Sequence, residues 1–152
     1  MSNSKCYSIR YALSSDLVNM AELLEQLFSI EADFEVDLAT QLSGLKLLLK
    51  SENGQIFVVE DINREVVAMA TLQKVVSTAE GGVVAWVEDI IVDESHRGQG
   101  IGNSLLTHIQ EWAEAGEIKR LQLVADRDNQ PALSFYSQHN WIKTNLVVLR
   151  QK

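Results

Sequence analysis

An apolar run followed by closely spaced glycines constrains the fold of this chain more than any other segment. Ile90-Ile91-Val92 leads through a polar turn into Arg97-Gly98-Gln99-Gly100-Ile101-Gly102-Asn103, and apolar residues at helical spacing follow from Leu105 to Ala113. This order predicts a strand, a glycine loop and a helix, an arrangement whose clustered backbone amides bind pyrophosphate. The spacing is neither Gly-x-Gly-x-x-Gly nor that of a P-loop. We therefore expect a phosphate-bearing ligand that is held in another way.

Bulk properties exclude several classes of protein. A length of 152 residues predicts a single domain over 1–152 with a sizeable core. The net charge of −8 argues against nucleic-acid binding, which needs a basic surface. No apolar run approaches the ~18 residues of a membrane span, and no signal-type segment is evident. Because Cys6 is the only cysteine, no intramolecular disulfide can form, and we expect a cytoplasmic protein.

Hydrophobic periodicity predicts the element order β-α-α-β-β-β-α-β-α-β. Strands are predicted over 7–11, 55–60, 65–76, 83–92 and 121–125, with a last strand or pair of strands over 141–149. Helices are predicted over 17–28, capped by Ser14 or Ser15, over 38–49, over 100–115 and after Asn129. The chain is therefore expected to be a mixed α/β (α+β) protein with a central, largely antiparallel sheet flanked by about four helices.

Two motifs resemble one enzyme family. Arg97 to Gly102 matches [Gln/Arg]-x-x-Gly-x-[Gly/Ala] after the expected strand, and Asn129 precedes a short helix that carries Tyr136. With this element order, the chain resembles the GCN5-related N-acetyltransferase (GNAT) superfamily, whose members transfer an acetyl group from acetyl-CoA to an amine. The order matches over nearly the whole chain, although the specific residues lie within 83–142.

The resemblance implies how acetyl-CoA would bind. Loop amides would hold the diphosphate, Arg97 would add a cationic contact, and Asn129 would bind the pantetheine arm besides capping its helix. Backbone groups of the strand before the loop would line that arm, and one N–H would stabilise the oxyanion. The implied cofactor-binding residues are Ile90, Ile91, Val92, Arg97, Gly98, Gln99, Gly100, Ile101, Gly102, Asn103, Asn129 and Tyr136. No metal is implied, since His96, His108 and His139 lack ligand spacing.

The resemblance also implies an acid and a base. Tyr136 matches the position that protonates the departing thiolate, although it could instead be packed beside Phe135. The segment around Glu88 is similar to diamine acetyltransferases, in which the Glu is the proposed base acting through water. Glu88 is therefore the first candidate base and Asp89 the second, with a structural ion pair as the alternative. Because strand side chains alternate, only one of them should face the acceptor unless a bulge intervenes.

The acceptor is less constrained than the donor. The segment 22–37 carries six acidic residues and no Lys or Arg, which favours a small cationic amine unless it is simply a solvated face. The expected activity is direct attack of a primary amine in a ternary complex. The alternatives are a protein or peptide amine, an acid-bearing acceptor, or a non-catalytic acyl-CoA sensor. A homodimer is possible by family analogy, with 141–149 as the candidate contact.

Overall fold

A five-stranded sheet with its strands in chain order organises the fold. The computed structural model describes residues 6–31 and 33–152. The strands are β1 (Ser8–Tyr11), β2 (Gly54–Glu60), β3 (Val66–Ser77), β4 (Gly82–Val92) and β5 (Leu121–Leu123). The helices are α1 (Leu17–Ile30), α2 (Leu38–Lys50), α3 (Ile101–Ala115) and α4 (Gln130–Gln138), with single 3₁₀ turns at Ser14–Asp16 and Glu94–His96. None of these helices is both long enough and apolar enough to cross a membrane.

The sheet is mixed, as predicted. Strands β1 to β4 pair in antiparallel fashion, whereas β5 runs parallel to β4. A parallel neighbour requires a crossover connection, and α3 supplies it. Four α-helices flank this largely antiparallel sheet, so the predicted fold class is confirmed.

Helices cover both faces of the sheet, and each face has its own core. In β2, Phe57 and Val59 pack in the cluster that contains α3, while Ile56 and Val58 pack with α1 and α2. This division follows from the alternation of side chains along a strand. Because both faces are covered, β2 is a nearly continuous apolar run, and all four of these residues are buried.

A bulge interrupts β4 close to its end. The register with β3 passes from Thr71 opposite Glu88 to Met69 opposite Ile91, so β4 contains one extra residue in between. Asp89 in this bulge has φ of +50°. On its other edge β4 pairs with β5 only from Ala85 to Val87. Beyond Val87 the two parallel strands are no longer paired, which leaves a gap in the sheet.

The predicted final strand over 141–149 is wrong. Residues 141–152 form no strand, and their apolar side chains are 62–90 % exposed in Ile142, Leu146, Val147, Val148 and Leu149. An apolar segment becomes a strand only when a neighbouring edge supplies hydrogen bonds. The nearest edge in the sheet order, β5, ends at Leu123 and not at Ala125, so it is only three residues long.

The start of α1 also differs from the prediction. Neither Ser14 nor Ser15 caps the helix; both lie in the 3₁₀ turn that precedes it. Asp16 organises this turn, because its carboxylate accepts from the backbone N–H of Leu13 at 2.7 Å and from Arg10 Nη1 at 2.8 Å. A buried carboxylate paired in this way stabilises the entry of the chain into α1.

Candidate active site

The gap between β4 and β5 holds a pocket of about 80 Å³. Residues from four parts of the chain line it: the end of α1, the bulge of β4, the segment that follows β5, and α4. They include Leu27, Glu31, Glu88, Asp89, Ile90, Val124, Ala125, Asp126, Asn129 and Tyr136. The pocket therefore exists because two parallel strands separate after a short region of pairing.

The bulge places both candidate bases at this pocket. The alternation of a regular strand would have turned Glu88 and Asp89 to opposite faces, but both line the pocket. The Asp89 carboxylate is held by Thr71, whose Oγ1 donates to Oδ2 at 2.7 Å. Within the described residues no hydrogen-bond or ion-pair partner is found for the carboxylate of Glu88. Glu88 is thus the freer of the two groups.

Burial shifts the protonation of both carboxyl groups. The pKa of Glu88 is raised above its ordinary value by burial first and by the negative charge of Asp89 second. The pKa of Asp89 is also raised by burial, against the opposing effect of the Thr71 hydrogen bond. Carboxyl groups whose pKa moves toward neutrality are better suited to proton transfer at working pH.

Tyr136 lies across the pocket on α4. Its ring is half-buried beside Phe135 and Trp141, with ring centroids 5.5 and 6.1 Å away. No hydrogen-bond partner of its hydroxyl is found among the residues that the structure describes. Burial, followed by the negative charge of Glu31, raises the pKa of Tyr136 to about 12. The phenol therefore keeps its proton at neutral pH.

Two further carboxylates, those of Glu31 and Asp126, line the same pocket as Tyr136. Glu31 follows the last residue of α1, and burial together with the charges of Asp89, Asp126, Asp33 and Glu88 raises its pKa. In the sequence Glu31 is only one of six acidic residues over 22–37, and Asp126 was not among the predicted site residues. A signal for Asp126 was available, because it follows a predicted strand that runs parallel to β4 and so ends at the same edge of the sheet.

The glycine loop follows β4, outside the residues that line the pocket, and leads into α3. Gly98 and Gly100 have φ of +73° and +81°, and a Cβ at either position would meet nothing within 4 Å. Among the described residues no acceptor is found for the backbone amides from Gly98 to Asn103. Gly100 is the N-cap of α3, so these amides lie at its positive end. This open cradle has the shape and charge that suit a diphosphate.

Gly102 has a different role from the other two glycines. A Cβ there would lie 3.1 Å from Cζ of Phe135 on α4, so α4 packs closely against Gly102.

The predicted cofactor contacts Arg97 and Asn129 already make hydrogen bonds within the protein. The Nε of Arg97 donates to the carbonyl of Val92 at 3.0 Å. Asn129 caps α4 by accepting from Ala132 N at 3.2 Å and also lines the pocket.

The strand before the loop presents a free edge. Ile91 is buried in the core under α1 and α2, while Ile90 and Val92 pack against the cluster that contains α3. Because pairing with β5 ends at Val87, the edge of β4 from Glu88 to Val92 on that side has no strand partner in the described chain.

Of the residues described, no three His, Cys, Asp or Glu side chains form a group that could hold a metal ion.

The sequence is similar to those of known proteins. Residues 18–141 match the model of the acetyltransferase (GNAT) family. An uncharacterised N-acetyltransferase of Methanocaldococcus jannaschii is 27 % identical over 94 % of this chain and 64 % of its own length. Streptothricin acetyltransferase of Escherichia coli is 31 % identical over 36 % of this chain and 32 % of its own length. The matches thus span between about a third and two-thirds of these relatives.

The fold is shared with a solved structure over almost its full length. A possible acetyltransferase from Clostridium difficile 630 superimposes with a TM-score of 0.86 and 25 % identity, covering 96 % of this chain and 97 % of that one. The family match includes β4 and α4, which line the pocket, and also the glycine loop between them. This chain belongs to the GNAT acetyltransferase family.

Proposed function

We propose that this chain transfers the acetyl group of acetyl-CoA to a primary amine, by direct attack within a ternary complex. One observation carries the proposal: a cradle of unpartnered amides opens beside a pocket that has two carboxylates on one wall and a phenol on the other. In this reaction a C–N bond forms at the acetyl carbon and the C–S bond breaks, which yields an amide and free CoA thiol.

The donor would lie along the free edge of β4. Gly98 and Gly100 leave room for the diphosphate against the backbone, and the N-terminus of α3 favours its negative charge. The unpaired edge from Glu88 to Val92 offers backbone groups to the pantetheine arm, as an added strand would use them. One N–H of this edge would bind the acetyl oxygen as negative charge develops on it.

Glu88 would accept the proton of the acceptor. An ammonium group has no lone pair, so it must lose a proton before its nitrogen can attack. Glu88 is at the pocket, has no described partner and has a raised pKa, and it is the better base for these reasons. Asp89, held by Thr71, would contribute negative charge near the amine while staying in place.

Tyr136 would return a proton to the leaving group. A thiol has a pKa of about 8.5 in its free form. A phenol with a pKa of about 12 stays protonated at neutral pH and would give its proton to sulfur as the electron pair of the breaking C–S bond moves there. The attacking nitrogen must lose a second proton to become the amide, and this proton would restore the phenol and make the overall transfer favourable. Tyr136 would therefore act late, as the C–S bond breaks. Its half-buried hydroxyl, for which no protein partner is described, is suited to this role.

The acceptor would be a small cationic amine. Glu31, Glu88, Asp89 and Asp126 converge on the pocket. The charges of the other three contribute to raising the pKa of Glu31, and the charge of Asp89 contributes to raising that of Glu88. Such a field attracts cations and disfavours acceptors that carry phosphate or carboxylate. The name of the Escherichia coli relative gives streptothricin, and not a protein, as its acceptor. A peptide amine is the second candidate, since the pocket is open to one side.

An amine panel with a thiol-release readout tests this proposal. With the wild-type protein we expect acetyl-CoA-dependent turnover of polyamines or other small diamines and weaker turnover of peptide amines. The variant Gly100→Glu should show no turnover, because its side chain would fill the cradle. Turnover confined to acceptors bearing an acidic group would contradict the acceptor class. CoA binding without turnover on any amine would favour an acyl-CoA sensor instead. Wild-type protein that fails to bind CoA would refute the donor site.

A further inference from the structure

One side chain of α1 reaches across to the segment that precedes the glycine loop. Gln26 Nε2 donates to Oδ1 of Asp93 at 2.8 Å, and Gln26 Oε1 accepts from the backbone N–H of Glu94 at 3.1 Å. A primary amide that donates and accepts at once holds its partner in both position and orientation. Gln26 therefore joins α1 to the segment 93–97, which we call the entry arm of the loop.

The entry arm is anchored throughout, unlike the amides that follow it. The N–H of Asp93 donates to the carbonyl of Val67 on β3 at 2.8 Å. The Asp93 carboxylate also accepts from the backbone N–H and hydroxyl of Ser95 and contacts Nδ1 of His96. These donors hold the pKa of Asp93 well below its usual range. The entry arm is thus fixed by hydrogen bonds, and the free amides from Gly98 to Asn103 follow directly after it.

The same helix also forms part of the pocket. Leu27 is the next residue after Gln26, and Glu31 lies just beyond the end of α1; both line the pocket. A shift of α1 relative to the entry arm would therefore move the acceptor side of the pocket relative to the cradle. Binding sites held in their productive geometry before the ligand arrives bind more tightly, because less ordering is lost on binding.

We propose that Gln26 is a positioning residue that holds the glycine loop in its diphosphate-binding geometry and keeps it in register with the α1 wall of the pocket. This inference rests on the proposed function, because it requires the loop to be the CoA site. Gln26 touches neither the pocket nor the loop amides in the structure. It acts only through Asp93 and Glu94.

Gln26→Leu tests this role, because leucine fills a similar volume and makes neither hydrogen bond. We expect the Kd for CoA, measured by calorimetry, to rise about tenfold, which corresponds to about 1.4 kcal/mol. The KM for acetyl-CoA should rise with it, while kcat at saturation stays within about threefold. A loss of folded protein would instead lower the apparent kcat and leave KM unchanged. Gln110→Leu, which breaks only an exposed bond between α3 side chains, is the matched control.

A double-mutant cycle separates positioning from simple stability. In the Asp93→Ala background, Gln26→Leu should change the Kd for CoA by less than about threefold, because the main partner is already gone. Gln26→Glu should weaken binding at least as much as Gln26→Leu, since it sets a second carboxylate against Asp93. Equal CoA affinity in wild type and Gln26→Leu, or equal losses in Gln26→Leu and Gln110→Leu, would overturn the inference. If wild type itself does not bind CoA, the donor site is wrong, and this outcome is distinct.

Discussion

Thr71 Oγ1 on β3 donates a 2.7 Å hydrogen bond to Asp89 Oδ2 in the bulge of β4. Thr71 is only 2 % exposed, so this hydroxyl fixes the orientation of the carboxylate from inside the sheet. The neighbouring Glu88 has no such support in the described chain. Two adjacent carboxylates at one pocket thus differ in freedom: Asp89 is held in place, and Glu88 can rotate toward a proton.

This difference predicts unequal effects of amide substitutions. Glu88→Gln should lower kcat by about 10²–10³, because general base catalysis contributes on that order. Asp89→Asn should cost less in kcat and change the stability little, since the amide oxygen can still accept from Thr71 and a buried charge is removed. Glu111→Gln on the exposed face of α3 is the control and should change neither. Steady-state kinetics and thermal unfolding measure both effects. If Asp89→Asn lost more kcat than Glu88→Gln, Asp89 would be the base and Glu88 would not.

The pH profile follows from the same group. A carboxylate base works only when deprotonated, and the pKa of Glu88 is raised by burial and by Asp89. The rate should therefore fall as pH drops through a value above the ordinary 4.5 of a glutamate. In Glu88→Gln this acidic limb should disappear from the profile of kcat/KM. If the limb persists unchanged in the variant, it belongs to another group.

Tyr136→Phe should separate catalysis from stability. The hydroxyl makes no described hydrogen bond, so its removal should change the free energy of unfolding by less than about 1 kcal/mol. Turnover should fall by about 10²-fold or more, because the leaving thiolate loses its proton donor. The KM for acetyl-CoA should stay within about threefold. Tyr11→Phe, at an exposed tyrosine stacked on Phe57, provides the control. Unchanged turnover would remove Tyr136 from the proposed reaction.

The two glycines at the start of α3 should respond differently to alanine. Gly102→Ala brings a Cβ to 3.1 Å from Phe135 Cζ, so the ring must shift by a few tenths of an ångström. This strain opposes the gain of about 1 kcal/mol that alanine brings inside a helix, and the net change in stability should be within about 1 kcal/mol. Gly100→Ala meets no clash but requires φ of +81°, which costs about 1–2 kcal/mol in a residue with a Cβ. Denaturant unfolding should show the loss in Gly100→Ala and a smaller net change in Gly102→Ala, and CoA affinity should fall mainly in Gly100→Ala. Equal CoA affinity in Gly100→Ala and wild type would argue against the cradle.

Asp16 should make stability depend on acid pH. Its pKa is lowered by the hydrogen bond from Arg10, with a smaller contribution from the Leu13 N–H. The stabilisation is fully present above the unfolded value of 3.8 and is lost as pH falls toward the lower folded pKa. Asp16→Asn should lower the free energy of unfolding at pH 7 by about 2 kcal/mol, since hydrogen bonds to charged groups are lost. The loss relative to wild type should shrink as pH falls through the lowered pKa of Asp16 in the folded protein.

Much of the fold was predictable because its signals are local. The apolar period of α1 and α3, the alternating faces of β2, and the Asn129 cap each depend on residues close together in the chain. The strand at 141–149 failed for the opposite reason. Its apolar composition favours a strand, but pairing depends on a neighbouring edge elsewhere in the chain, and β5 ends after three residues.

The sequence by itself determined the glycine loop, because two positive-φ glycines before an amphipathic helix specify a backbone conformation without help from distant residues. Only the tertiary structure decided which carboxylates line the same pocket. Glu31 and Asp126 come from segments nearly a hundred residues apart, and Glu88 and Asp89 share the pocket only because β4 bulges. It also decided that Gln26 bonds to the entry arm of the loop and that Phe135 packs against Gly102. These contacts arise where β4 and β5 separate, and no local pattern in the chain specifies that separation.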